Sequence, residues 1–140
     1  MKQIGKILIL ICFLFSLLFL YIKKDDMIIS LFQIQSGSMM PEISVGEIVF
    51  LIKQKEYEQN DIITYQVNNK YFITHRIEEV TDNGYITKGD FNNNRDEEIV
   101  NNNQIKGKVI FHSKIFGIIY NYRYYIIIIL LLFLILAILM

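Results

Sequence analysis

Apolar side chains fill both ends of the chain almost without interruption, whereas the middle breaks into short apolar runs separated by polar residues. Ile7 to Ile22, ILILICFLFSLLFLYI, carries no charge. Extended back to Ile4 it gives roughly 19 residues, or about 28 Å of helix, against a hydrocarbon core of about 30 Å. This predicts an N-terminal transmembrane anchor over residues 1–22. A cleaved secretory signal is the rival, with Lys2 and Lys6 as its basic region, but no small-x-small site precedes Lys23. The second uncharged run is Tyr124 to Met140, and Tyr120, Tyr122, Tyr124 and Tyr125 with Arg123 resemble an aromatic belt at a bilayer interface. A C-terminal transmembrane helix is expected within 119–140, which puts both ends on one side of the membrane and the middle on the other.

Between these runs the periodicity changes. Glu47 to Lys53, Asp61 to Val67, Lys70 to Val80, Tyr85 to Lys88 and Lys106 to Ser113 are rich in β-branched and aromatic residues and bounded by polar breaks, so each reads as a strand. No sustained 3.6-residue period appears there. Asn68 and Asn69 suit a two-residue hairpin turn, and Thr81 to Gly84 a second turn. The expected fold is mostly β: a small antiparallel domain over 36–118, joined to the first anchor by a juxtamembrane segment over 23–35 and flanked by a helix at each end. Asn92 to Asn103, NNNRDEEIVNNN, reads as a solvated loop.

The 140 residues are 53% hydrophobic, and 14 basic residues balance 14 acidic ones, which gives no electrostatic reason to expect nucleic acid as a partner. Lys2 and Lys6 favour a cytoplasmic amino terminus, while Lys23 and Lys24, partly offset by Asp25 and Asp26, argue weakly against it, so charge alone leaves the orientation open. The sole cysteine, Cys12, falls in the first apolar run, so the chain offers no internal disulfide and no cysteine-based metal site.

Three places can carry chemistry. Ser36-Gly37-Ser38 precedes two methionines and the only proline, Pro41. A serine hydroxyl needs a base to remove its proton and donors for the oxyanion that follows. Gly37 permits close backbone approach, Ser38 can attack, and Ser36 can supply a donor. Met39 and Met40 beside this turn suggest a surface that meets lipid or an apolar peptide. The second place is His75, which shares a strand face with Tyr71, Ile73, Ile77 and Glu79 and is a base suited to neutral pH. His112 has no carboxylate nearby in sequence and reads as structural or exposed. The third is Thr87 to Asp96, where either Asp90 or Asp96 can orient an imidazole. Calcium is disfavoured there, because the loop lacks a glycine at its sixth position and has Asn101 at its twelfth. No metal or cofactor is expected.

In order and context these segments resemble type I signal peptidases, over about Ile34 to Gly117. SGSMMPEISVGEIV is similar to the nucleophile box, ITHRIEEV to the general-base box, and TKGDFNNNRD to the third box, followed by IKGKVIF. Glu47 stands where an aspartate is commoner, and Phe91 interrupts the usual Gly-Asp-Asn-Asn. Histidine at the base position, where most bacterial members have lysine, resembles the endoplasmic-reticulum and archaeal subfamily that also occurs in some spore-forming bacteria. The resemblance implies a Ser-His-Asp serine endopeptidase with Ser38 as nucleophile, His75 as base, Asp96 as orienting acid, a supporting part for Asp90 and an oxyanion role for Ser36, with Gly37 and Met39 beside the substrate. It implies removal of N-terminal signal peptides from secretory preproteins, after small residues at the first and third positions before the cut. It places a multi-pass protein in the cell membrane, with its catalytic domain on the extracytoplasmic side. Two alternatives remain: a serine-lysine dyad using Lys70 or Lys88, and a non-catalytic membrane-tethered β-domain adaptor.

Overall fold

The computed structural model describes residues 2–21, 29–68 and 70–139. Contacts divide the chain into two compact units, Met1–Lys24 with Ile119–Met140, and Asp25–Ile118. Lys23, Lys24, Asp25, Asp26 and Asn69 lie outside the described residues.

In the first unit, α1 (Lys2–Tyr21) packs against α3 (Arg123–Leu139). Both end segments are therefore helical, as their uninterrupted aliphatic runs require. Among the described residues, however, no single helix is long and apolar enough to cross a membrane. α2 (Lys114–Asn121) and the Arg123–Leu136 part of α3 reach that length and composition together but meet at a 64° bend. At the start of α3 the Arg123 guanidinium lies between the rings of Tyr120 and Tyr124, 4.0 and 4.5 Å from their centroids, and donates to Tyr120 O.

The second unit is one antiparallel sheet of β1 (Ile29–Gln33), β2 (Ile48–Ile52), β3 (Ile62–Val67), β4 (Tyr71–Thr81), β5 (Gly84–Lys88) and β6 (Ile105–Ser113), in the order β1-β2-β6-β3-β4-β5. Five of these match the expected strands within a residue or two. β1 is additional, and it lies in the stretch read as a juxtamembrane segment. The β3–β4 hairpin closes with Lys70 N–H donating to Val67 O, and Asn68 takes φ +50°. At the β4–β5 turn, Thr81 Oγ1 donates to Gly84 O. Three strands separate β1 from β4 in the sheet, yet Phe32 and Phe72 touch with ring centroids 4.8 Å apart. The sheet therefore curls on itself, helped by bulges at Phe50/Leu51, Thr64/Tyr65 and Ile77/Glu79.

Curling creates two apolar clusters. Tyr57, Ile63, Tyr65, Ile77, Tyr85, Val100 and Ile105 form one. Ile34, Met39, Ile43, Val49 and Leu51 form the other, and it lies under the loop that carries Ser38. On β4 the alternation turns His75 and Ile77 inward, and the bulge after Ile77 ends the inward run, which leaves Glu79 exposed.

Candidate active site

The Ser38 loop is closed at its base by two backbone bonds, Ile34 N–H to Glu47 O at 2.9 Å and Gly46 N–H to Ile34 O at 2.8 Å. Its middle is a helical turn with Ile43 N–H on Met39 O at 2.9 Å. Met39 and Ile43 are fully buried. Burying these two side chains seats the loop on the second cluster and leaves Ser38 facing outward, half-buried. The side chain of Met39, expected beside the substrate, is core, while Met40 is the exposed one of the pair.

Ser38 Oγ lies 3.1 Å from His75 Nε2, and His75 Nδ1 lies 2.6 Å from Asp96 Oδ2. A carboxylate only accepts, so the ring proton sits on Nδ1 and Nε2 is left to accept from the serine hydroxyl. Two further hydroxyls converge on the same carboxylate oxygen, Thr87 Oγ1 at 2.6 Å and Tyr65 OH at 3.0 Å. Asp96 N–H also donates to Thr87 O at 2.8 Å, so the carboxylate is held by its own backbone as well as by its donors. Burial pushes the Tyr65 phenol well above the ordinary tyrosine value, against a smaller opposing effect of the Thr87 hydroxyl, and the nearby Asp96 charge adds to the rise. Tyr65 therefore stays a donor. Sequence reading missed both Tyr65 and Thr87; the signal was a hydroxyl at an inward position on each of two strands.

Asp90 faces elsewhere. It takes a bidentate pair of bonds from Arg76, Nε to Oδ1 at 2.9 Å and Nη2 to Oδ2 at 2.7 Å. That hydrogen bonding raises the Arg76 value further, outweighing partial burial. Of the two candidate acids, Asp96 is therefore the one on the imidazole, and the Asp90 side chain is committed to Arg76. Gly89 itself is where the loops meet: a Cβ there would lie 2.6 Å from Ser38 O and 2.9 Å from His75 Nε2. Next to it, Phe91 N–H donates to Ser38 O at 2.9 Å while its side chain is exposed. Phe91 thus ties the acidic loop to the Ser38 loop.

Comparison with known proteins gives the family. The family model described as Peptidase S24-like matches residues 16–110. The chain belongs to the Peptidase S24-like family. It is also 33% identical over 81 residues to "Signal peptidase I W" of Bacillus subtilis (strain 168), an alignment covering 52% of this chain and 42% of that protein. The chain thus spans less than half the length of that relative.

In this S24-like chain the remaining candidates sort by position. Ser36 Oγ is 3.4 Å from Ser38 Oγ, longer than a usual hydroxyl bond, and Ser36 is exposed. Gly37 is covered by Met40, whose Sδ would lie 3.3 Å from an added Cβ. Lys88 turns toward Glu78 at 4.0 Å and Lys70 sits in the exposed β3–β4 turn, whereas the side chain within hydrogen-bond reach of Ser38 Oγ is His75. His112 does have a carboxylate partner: its Nδ1 is 2.6 Å from Glu47 Oε2, brought there by β2–β6 pairing. Glu47 is buried and its other oxygen accepts from Ser44 N–H at 3.4 Å, which pins the end of the Ser38 loop to β6. Among the described residues no group of three or more His, Cys, Asp or Glu side chains converges to hold a metal.

Proposed function

We propose that this S24-like chain is a membrane-anchored serine endopeptidase of the signal-peptidase type, with Ser38, His75 and Asp96 as its catalytic triad. The observation that carries this reading is the continuous chain of contacts from Ser38 Oγ through His75 to Asp96 Oδ2, at 3.1 and 2.6 Å. Ser38 Oγ bonds to the scissile carbonyl carbon as its proton passes to His75 Nε2, and Asp96 stabilises the imidazolium that forms. The oxyanion collects donors from the Ser38 loop, with the Ser36 hydroxyl as one of them. Collapse breaks the carbon–nitrogen bond, and Nε2 gives its proton to the departing amine. Water then attacks the ester on the same base and releases Ser38.

The substrate is an exported preprotein whose cleavage region lies extended along the sheet, with small side chains at the first and third positions before the cut. Similarity to Signal peptidase I W supports that substrate class. The apolar ends, and the guanidinium held between Tyr120 and Tyr124, support anchoring in the cell membrane, with the β unit on the extracytoplasmic side. The anchors keep the dyad near the surface where a signal sequence leaves its helix.

The test is one model preprotein with alanine at both small positions, incubated with the detergent-solubilised protein and with Ser38→Ala and His75→Ala. Each substitution is expected to lower turnover by about four to six orders of magnitude. Processing by Ser38→Ala at a near-normal rate would refute the mechanism.

A further inference from the structure

A second histidine–carboxylate pair, His112 with Glu47, stands outside the triad, and its place in the sheet ties it to the nucleophile. The loop that carries Ser38 joins β1 to β2, so Glu47 is where the chain re-enters the sheet. The β2–β6 ladder ends at Ile48 and Ser113, with Val49 opposite His112. Glu47 lies two residues before Val49 and shares its face, which makes Glu47 and His112 diagonal neighbours across the two strands. Their side chains close that diagonal at 2.6 Å, Nδ1 to Oε2, one residue beyond the last paired backbone.

Glu47 is buried, and part of its cover comes from α2: a Cβ on Gly117 would run into Gly46 O and lie 3.3 Å from Glu47 Cα. A carboxylate so placed needs donors. His112 supplies one, and Ser44 N–H, at 3.4 Å, a weaker one. Without His112 the carboxylate would be drawn toward water, and the backbone of the same residue takes the bond that closes the loop, Ile34 N–H to Glu47 O. The strand chosen for the tie matters as well. Ser38 and His75 come from different parts of the sheet, the β1–β2 loop and β4, and β6 lies between them. It pairs with β2 on one side and on the other with β3, the neighbour of β4. β1 is an edge strand, paired with β2 alone. A side-chain tie from the end of the loop to β6 therefore fixes the nucleophile relative to the strands that carry the base.

We propose that Glu47 and His112 are positioning residues, which together hold the Ser38 loop at the distance from His75 that proton transfer requires. The role deepens the signal-peptidase reading and rests on it. Glu47 acts through the loop backbone and not on the reacting atoms, so losing the pair lowers kcat and leaves KM alone.

The experiment uses the full-length protein in detergent and the model preprotein with alanine at both small positions. Values of kcat and KM are read per folded molecule, well below the melting temperature. Glu47→Ala and His112→Ala are each expected to lower kcat about 10- to 100-fold, the scale of a misplacement of up to 1 Å, with KM unchanged. The double variant should be no slower than the slower single one, since its second change removes a contact already lost. His112→Asn, which keeps an N–H donor near the place of Nδ1, should recover most of kcat. Should His112→Ala not fold, His112→Phe, which keeps the ring and loses the donor, takes its place. Lys108→Ala breaks the 2.6 Å ion pair with Asp61 on the same strand and serves as the comparison for a contact that supports the fold alone: the melting temperature falls while kcat holds. Full kcat in the folded single variants, a loss carried by KM, or losses that multiply in the double variant would overturn the positioning role alone. If the unsubstituted protein cuts no preprotein, the signal-peptidase reading falls and this role falls with it.

Discussion

At the scale of residues, the two acidic side chains of one short loop have different partners, and this separates their expected effects. Asp96 accepts from His75, Thr87 and Tyr65 on one oxygen, while Asp90 is occupied by Arg76. Asp96→Asn keeps the shape but loses the charge that fixes the imidazole tautomer and stabilises the imidazolium, so kcat should fall about 10⁴-fold. Asp90→Asn weakens a surface ion pair and should cost kcat less than about tenfold. Comparable losses in the two variants, read from single-turnover rates, would show that the acid is misassigned. Gly89→Ala is a sharper probe, because the new methyl would fall against Ser38 O and His75 Nε2. Backbone cannot yield there as a flexible side chain would. A displacement of the nucleophile or base by a fraction of an ångström to 1 Å should reduce kcat about 10²-fold. The melting temperature should fall as well, so kcat read per folded molecule well below it distinguishes a misplaced Ser38–His75 pair from a damaged fold.

At the scale of elements, the turn between β4 and β5 determines where the acidic loop begins. Gly84 has φ +137°, and a Cβ on it would run into Val100 O, within the bridge between Tyr85 and Val100 that returns the Asp96 segment to the sheet. Gly84→Ala should therefore destabilise the domain by about 1–3 kcal/mol, measured by denaturant unfolding. Activity per folded molecule should fall as well, since Asp96 N–H is fixed to Thr87 O on β5. Elements like β2 to β6 were legible because their β-branched runs are local and bounded by turns. β1 was not, since five residues following the charged stretch after the first apolar run carry too little pattern to separate strand from linker. The break of α2 from α3 at Tyr122 was equally unread, although Asn121 and Arg123 flank it, because 119–140 reads as one belt and helix. Ser38 and His75 were readable as chemistry from their box order. The choice between Asp90 and Asp96 needed the partner of each carboxylate, which spacing does not contain. The Glu47–His112 contact spans 65 residues and exists only because β2 pairs with β6. Which of Met39 and Met40 is buried was also hidden, for a physical reason: a methionine beside a serine looks the same in sequence whether it anchors the loop from below or lies on top.

At the scale of the whole molecule, buried tyrosines and the apolar ends govern different kinds of stability. Burial raises the Tyr65 phenol and, more modestly, that of Tyr57. A folded-state value above the unfolded one means that the unfolded chain ionises first, so this contribution is constant below about pH 10 and is lost as the pH climbs beyond it. Unfolding by denaturant at pH 9 and pH 11 should show a steeper decline for the parent than for Tyr65→Phe; parallel declines would remove Tyr65 as the cause. The apolar ends act on location instead. If the uncharged helices anchor the protein, it should stay in the membrane fraction through an alkaline carbonate wash and leave it only with detergent. The compact unit Asp25–Ile118, expressed without the helical unit, carries the whole sheet and the Ser38, His75 and Asp96 side chains. It should cleave a short soluble peptide at a rate near that of the full chain but process a membrane-inserted preprotein far more slowly, because the search for the cut site returns from two dimensions to three. Equal loss on both substrates would mean that the helices support the fold of the sheet. Equal retention on both would mean that the membrane adds nothing to encounter, and the anchoring role would then have to be abandoned.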